Sequence, residues 1–171
     1  MSLRNIAMAV EMFRAEYVTY PKHLAYVAPN GSGGASYLGT TSDLSRVLKD
    51  PRLNTPPYEY APGADIETRM AEIDAHCDFY YAGAGVEIRR VRNPSSFILL
   101  YDHAGAGRKR IVVFADGHVE SIPASTPLDR IVDETNRDRA AQKLPPLPRD
   151  LSGPPATAGP STAGSRVTPE K

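Results

Sequence analysis

The run Ile111-Val112-Val113-Phe114-Ala115-Asp116-Gly117-His118-Val119-Glu120-Ser121-Ile122 constrains this chain more than any other stretch. Two segments of β-branched and aromatic composition flank Asp-Gly, a dipeptide that accepts the positive φ angles of a tight primed turn. The expectation is an antiparallel hairpin over Arg110 to Ile122, with Asp116 and Gly117 at its turn. Glycine at the second turn position takes positive φ without a Cβ clash, and aspartate before it suits the turn for backbone reasons.

Upstream, Leu3, Ile6, Val10, Phe13 and Tyr17 recur at alternating three- and four-residue steps, which places them in one stripe along a helix. This predicts a long helix over residues 1–20, ended by Pro21 because proline disfavours a helical residue before it and donates no backbone bond. The glycines Gly31, Gly33 and Gly34 read as loop; they lack the Gly-Lys-Ser/Thr ending of a phosphate loop. A short helix is expected over Ser42 to Lys49, and a second one capped by Asp65, with Ile66, Met70 and Ile73 at helical spacing. Asp78 to Ala82, Val86 to Val91 and Phe97 to Tyr101 have strand composition, broken by Gly83, Gly85 and Asn93-Pro94. With the hairpin they make four or five antiparallel strands over residues 78–122. Thr126 as cap, Pro127 and Asp129 then announce a polar helix over residues 126–142, with Leu128, Ile131, Val132 and Ala140 to bury. The proline-rich remainder, residues 144–171, has few large apolar groups to offset the cost of ordering and reads as a disordered tail. The fold class that follows is α+β: one globular domain over residues 1–143, with the N-terminal helix packed on a small antiparallel sheet.

A chain of 171 residues suffices for one domain with a real core. Its 20 basic and 20 acidic side chains cancel, which disfavours binding to nucleic acid or an anionic membrane by bulk charge. The single cysteine, Cys77, forms no intramolecular disulfide and reads as a small buried apolar residue. The first residues carry no basic leader with a long apolar run, so no membrane contact is expected from these residues.

The opening Leu3-Arg4-Asn5-Ile6-Ala7-Met8-Ala9-Val10-Glu11-Met12-Phe13, then Tyr17 and Tyr20-Pro21, resembles the segment that follows the membrane-spanning half of the long helix in prepilin-like proteins related to type II secretion pseudopilins. The order continues through Asp78-Phe79-Tyr80-Tyr81, Asn93-Pro94-Ser95-Ser96, Phe97-Ile98-Leu99-Leu100-Tyr101-Asp102 and the Phe-Ala-Asp-Gly-His-Val run. It covers Leu3 to Ile122 in organisation, and the Asp-Gly-His-Val stretch is its specific part. The resemblance implies a non-enzymatic structural subunit of a secretion system or pilus. Its partners would be other pilin-like subunits or secretion-system proteins, and its place the bacterial cell envelope on the periplasmic or outer face. The family's Gly-Phe-Thr-Leu-Ile-Glu type cleavage motif and apolar helix half are not found in these residues, although a parent protein could carry such a membrane helix.

Two other readings stand beside it. Asp102, His103, Asp116 and His118 concentrate groups able to bind a metal, zinc through nitrogen or calcium through oxygen, or to move protons. Otherwise no cofactor is expected and no residue is assigned a catalytic role. No serine sits in a Gly-x-Ser-x-Gly elbow, and His76 beside Cys77 points away from it in helix or strand. The tyrosines Tyr17, Tyr20, Tyr26, Tyr37, Tyr58, Tyr60, Tyr80, Tyr81 and Tyr101 would indicate a carbohydrate or peptide binding module if they cluster exposed on one sheet face.

Overall fold

The computed structural model describes residues 3–27, 65–102 and 109–155. Within them the chain is α+β, with helices α1 (Leu3–Tyr17), α2 (Ile66–His76) and α3 (Asp129–Ala141). The strands are β1 (Phe79–Tyr81), β2 (Ile98–Asp102), β3 (Lys109–Phe114) and β4 (Val119–Pro123), forming one antiparallel sheet in the order β1-β2-β3-β4. The helix expected over Ser42 to Lys49, the glycine-rich loop, Tyr37, Tyr58, Tyr60 and His103 lie outside the described residues.

The N-terminal helix is shorter than expected, 15 residues, and stops at Tyr17 well ahead of Pro21. Val18 adopts a left-handed φ of 63° and donates its amide to Arg14 O at 2.8 Å, closing the last turn. A β-branched residue is strained there. Tyr20 then turns back to be buried, its hydroxyl within reach of Ala115 O at 3.2 Å. A tertiary bond to the hairpin thus ends the helix before proline does. Ile6 and Val10 are fully buried and Phe13 packs against the same core, but Tyr17 is 48% exposed and leans on Phe13 at 4.5 Å. The side chain of Leu3 falls outside the described residues. Small residues complete the buried face, since Ala7 and Ala9 are also within the core.

α2 begins as expected, with Asp65 Oδ1 accepting the Thr68 amide at 3.0 Å. Met70 and Ile73 are buried from it. Val86 to Val91 is not a strand: Arg90 N–H and Val91 N–H close short local turns onto Glu87 O and Ile88 O, and residues Ile88–Arg90 form a 3-10 turn. Gly85 at φ 74° starts that excursion. Val86 and Val91 remain buried at its two ends, which accounts for their apolar character without a ladder.

The central pair β2 and β3 carries a bulge. Ile98 pairs with Phe114 and Leu100 with Val113, leaving Leu99 as the extra residue. Ile98, Tyr101, Val112 and Phe114 therefore share one core, whereas Leu99, Leu100 and Val113 share another. The second of these receives α1, α2 and the 3-10 turn Leu24–Val27; the first receives α3.

α3 starts at Asp129, two residues past Pro127, and no side chain caps it; the Thr126 amide instead closes a turn to Pro123 O. Ala140 is exposed, while Val132, Thr135, Asp138 and Arg139 are buried. The stretch after it also departs from expectation. Leu147 is 3% and Leu151 0% exposed, Asn136 exchanges two hydrogen bonds with Leu147 (2.6 and 3.0 Å), and the Tyr101 hydroxyl donates to Gly153 O at 2.8 Å. Residues 144–155 are part of the domain because two leucines among the prolines suffice to anchor them; residues 156–171 lie outside the described residues.

Candidate functional site

The hairpin tip holds the most specific residues of the sequence. Gly117 N–H donates to Phe114 O (2.9 Å) and Phe114 N–H to His118 O (3.0 Å), so Ala115, Asp116 and Gly117 together span the turn. Only Gly117 has positive φ (87°); Asp116 does not, in contrast to the two-residue primed turn expected. A three-residue loop closed by a left-handed residue meets the same strand twist. It leaves Asp116 free to fold its carboxylate over the next residues, where Oδ1 accepts the His118 amide at 3.1 Å and contacts His118 Nδ1 at 2.5 Å. Partial burial opposes the ionised form, yet these hydrogen bonds prevail and hold the Asp116 carboxyl below the usual carboxylate range. The His118 ring stacks on Phe114 at 4.3 Å, and its Nε2 lies 3.5 Å from Glu120.

The tip is docked onto α1. Tyr20 Oη sits 3.1 Å from Glu11 Oε1 as well as near Ala115 O, and Arg14 holds Glu11 at 2.7 Å. Burial, then the Glu11 charge, pushes the Tyr20 phenol far above its ordinary value, so it stays a neutral donor. A Cβ added at Gly117 would stand 3.8 Å from the Glu11 chain, so the obstacle to substitution there is the positive φ rather than crowding.

Asp102 does not converge with Asp116 and His118. Phe114, at the tip end of β3, pairs with Ile98, so Asp102 lies four residues along β2 toward the other end of the sheet. At about 3.3 Å per residue that is roughly 13 Å, beyond the reach of one ion. Asp102 is buried there and its Oδ1 accepts the Ile111 amide at 3.1 Å, a role at the end of the β2–β3 ladder. Among the described residues no group of three His, Cys, Asp or Glu side chains is placed to hold a metal. Among the described residues the tyrosines likewise do not gather on an open sheet face. Tyr20 and Tyr101 are buried, Tyr81 gives its hydroxyl to Pro21 O at 2.8 Å, Tyr80 packs on Tyr101 at 5.3 Å, and the exposed Tyr17 belongs to a helix. Cys77 is buried, its thiol 2.7 Å from Phe79 O.

Two features were not read from the sequence. The first is the outer side of α1: Met8 is 59%, Met12 50% and Val18 63% exposed. Met8 and Met12 are one turn apart, opposite the buried face, and set an apolar pair among the exposed Arg4, Asn5 and Glu16. The sequence carries the signal as two methionines four residues apart, off the Leu3-to-Tyr17 stripe. The second is a polar cluster joining the chain after α1 to α2. Asp74 accepts the amides of Leu24 and Ala25 at 2.9 Å each, and the His23 ring lies between Asp74 (3.2 Å) and Glu67 (3.3 Å). Its members are 41 to 51 positions apart, so no local pattern announces it.

Among the described residues no helix is long and apolar enough to cross a membrane. Compared with protein-family models, with curated proteins and with solved structures, the chain finds a match in none of the three.

Proposed function

We propose that the chain is a non-enzymatic assembly subunit, organised as the globular part of a prepilin-like protein related to the type II secretion pseudopilins. It works in the bacterial cell envelope, on the periplasmic or outer face, by burying the outer side of α1 against another pilin-like subunit or a secretion-system protein. The carrying observation is the pair of exposed methionines on the outer side of α1. Its inner side is used up on the sheet, yet Met8 and Met12 stand half exposed on the opposite side. Two side chains of this size on one helix face are what an association surface offers, with methionine's unbranched chain able to adapt to a partner. The organisation of the rest supports the same reading: a helix ahead of a four-stranded meander whose last hairpin carries the Asp-Gly-His-Val turn and grips the helix through Tyr20 and Glu11.

The experiment is site-specific photocrosslinking in cells, with benzoylphenylalanine at Met12 and, as a control, at Arg130, whose side chain is 91% exposed on the opposite side of the molecule's sheet. Discrete adducts with a second copy or with a pilin-like subunit are expected from position 12 alone. Equal labelling at the two positions, or none at position 12, refutes the proposal.

A further inference from the structure

We propose that His23, set between Glu67 and Asp74, is a protonation-gated clasp that fastens the 3-10 turn Leu24–Val27 to α2. The geometry suits the charged ring. Nδ1 lies 3.2 Å from Asp74 Oδ2 and Nε2 lies 3.3 Å from Glu67 Oε2, with the side chain 17% exposed. A neutral imidazole has one N–H and one lone pair, so it donates to one of these carboxylates and turns its lone pair on the other. Only the imidazolium donates to both, through charge-assisted bonds.

Each carboxylate is bound to more than the ring. Glu67 also accepts from Lys22 Nζ at 2.5 Å and from the Tyr26 hydroxyl, and these bonds hold its carboxyl down to about 2. Asp74 spends both oxygens on the amides of Leu24 and Ala25. Leu24, Ala25 and Val27 are fully buried between α1 and α2, so the clasp fixes a piece of the core. When the ring loses its proton it has one N–H for two carboxylates, so the bridge that ties Asp74, the acceptor of both amides, to Glu67 is broken and the turn is held less firmly.

The other charged and titratable neighbours do not substitute for this. Lys22 is engaged with Glu67, and the Tyr26 ring meets His23 edge-on at 5.6 Å. From β1, the Tyr81 hydroxyl donates to Pro21 O. From α1, Glu11 and Arg14 pair with each other beside Tyr20. The hydrogen bond to Asp74 outweighs partial burial and, with Glu67, raises the His23 pKa above its ordinary 6.5. A group raised on folding stabilises fully below its unfolded value, and that contribution is lost as pH rises through the folded value. The clasp is thus closed in mild acid and opens toward the alkaline side. The inference is independent of the assembly reading, since it concerns a single copy.

The test is amide hydrogen exchange at Leu24 and Ala25 in the full chain, corrected for intrinsic rates, at about pH 5.5 and about pH 8, on either side of the histidine range. Protection should fall at the higher pH in the parent, and His23→Gln should abolish that difference. Equal pH dependence in parent and variant, or none in the parent, overturns the clasp. Should His23→Gln not fold, Glu67→Gln decides: it leaves one carboxylate on the ring and must lower the His23 titration midpoint followed by NMR. An unchanged midpoint overturns the clasp as well.

Discussion

On one face of the sheet, α1 docks through Ile6, Ala7, Ala9 and Val10, all within 1% of complete burial. On the other, α3 buries Val132 alone among its apolar residues and otherwise sinks Thr135, Asp138 and Arg139. Its attachment is by hydrogen bonds. Beside the bulge, Ile98 N–H donates to Thr135 Oγ1 (3.1 Å), Arg92 N–H donates to Asp138 (2.9 Å), and Arg139 spans Pro145 O (2.6 Å) and Ala82 O (2.5 Å). Burial pushes the Arg139 guanidinium below its ordinary value, and those carbonyls are what it has in exchange for water. An apolar dock tolerates changes of shape and demands volume, whereas a polar dock demands each partner in its place. The outer sides differ too: α1 exposes Met8 and Met12, and α3 exposes no large apolar side chain.

The comparison breaks most readily at residues 144–155, on which α3 relies. Truncation after Lys143 removes Leu147, Leu151 and the carbonyl of Pro145 that Arg139 uses, and we expect the cooperative unfolding transition to collapse. Leu147→Ala alone should cost about 2 to 5 kcal/mol. A truncated chain with the parent's denaturation midpoint would mean that α3 holds without this segment.

Next in size is the inner face of α1. Ile6→Ala should cost about 2 to 5 kcal/mol in chemical denaturation, because a fully buried side chain leaves a cavity. The matching change on α3, Thr135→Val, keeps the shape and deletes the hydroxyl between Ile98 N and Ser96 O. It should cost about 1 to 3 kcal/mol, the penalty of leaving a buried amide unpaired. If Thr135→Val is neutral while Val132→Ala is not, α3 docks by its single valine and the contrast between the helices disappears.

The smallest effects belong to the hairpin tip that α1 grips. Gly117→Val must place a β-branched residue at φ 87°, a strain on the order of 1 to 3 kcal/mol. Asp116→Asn retains an oxygen for the His118 amide and should stay within about 1 kcal/mol, read as a small change in thermal midpoint. A stable Asp116→Asn protein that has lost a bound metal or an activity would return the tip to chemistry and take it out of the turn's service.

Some elements were legible because their cause is local. The Asp65 cap reaches only to Thr68, the Asp116-Gly117 turn closes over a few residues, and the strands Phe79–Tyr81 and Ile98–Asp102 lie within a residue or two of their compositional boundaries. Others were misread where a distant partner overrules local preference. Val86 to Val91 looked like a strand but is anchored by two valines and by Gln142, whose Oε1 takes the Glu87 amide. Tyr17 fits the helical stripe, yet its ring stays half exposed against Phe13. Asp102 and Asp116 looked like neighbours in a metal set, and antiparallel register sends them to opposite ends.

What the sequence determined by itself is the alternation of apolar and polar residues and the few backbone-restricting positions, and these are enough for an α+β chain whose sheet closes on a hairpin. Their physics is short-ranged: side-chain period, caps, and glycine at positive φ. Tertiary structure alone decided which helix face stays open, that Leu147 and Leu151 belong to the core, and that His23 meets Glu67 and Asp74. Burial and paired charge depend on what the rest of the chain brings within a few ångströms, and no residue's own neighbours in sequence carry that information.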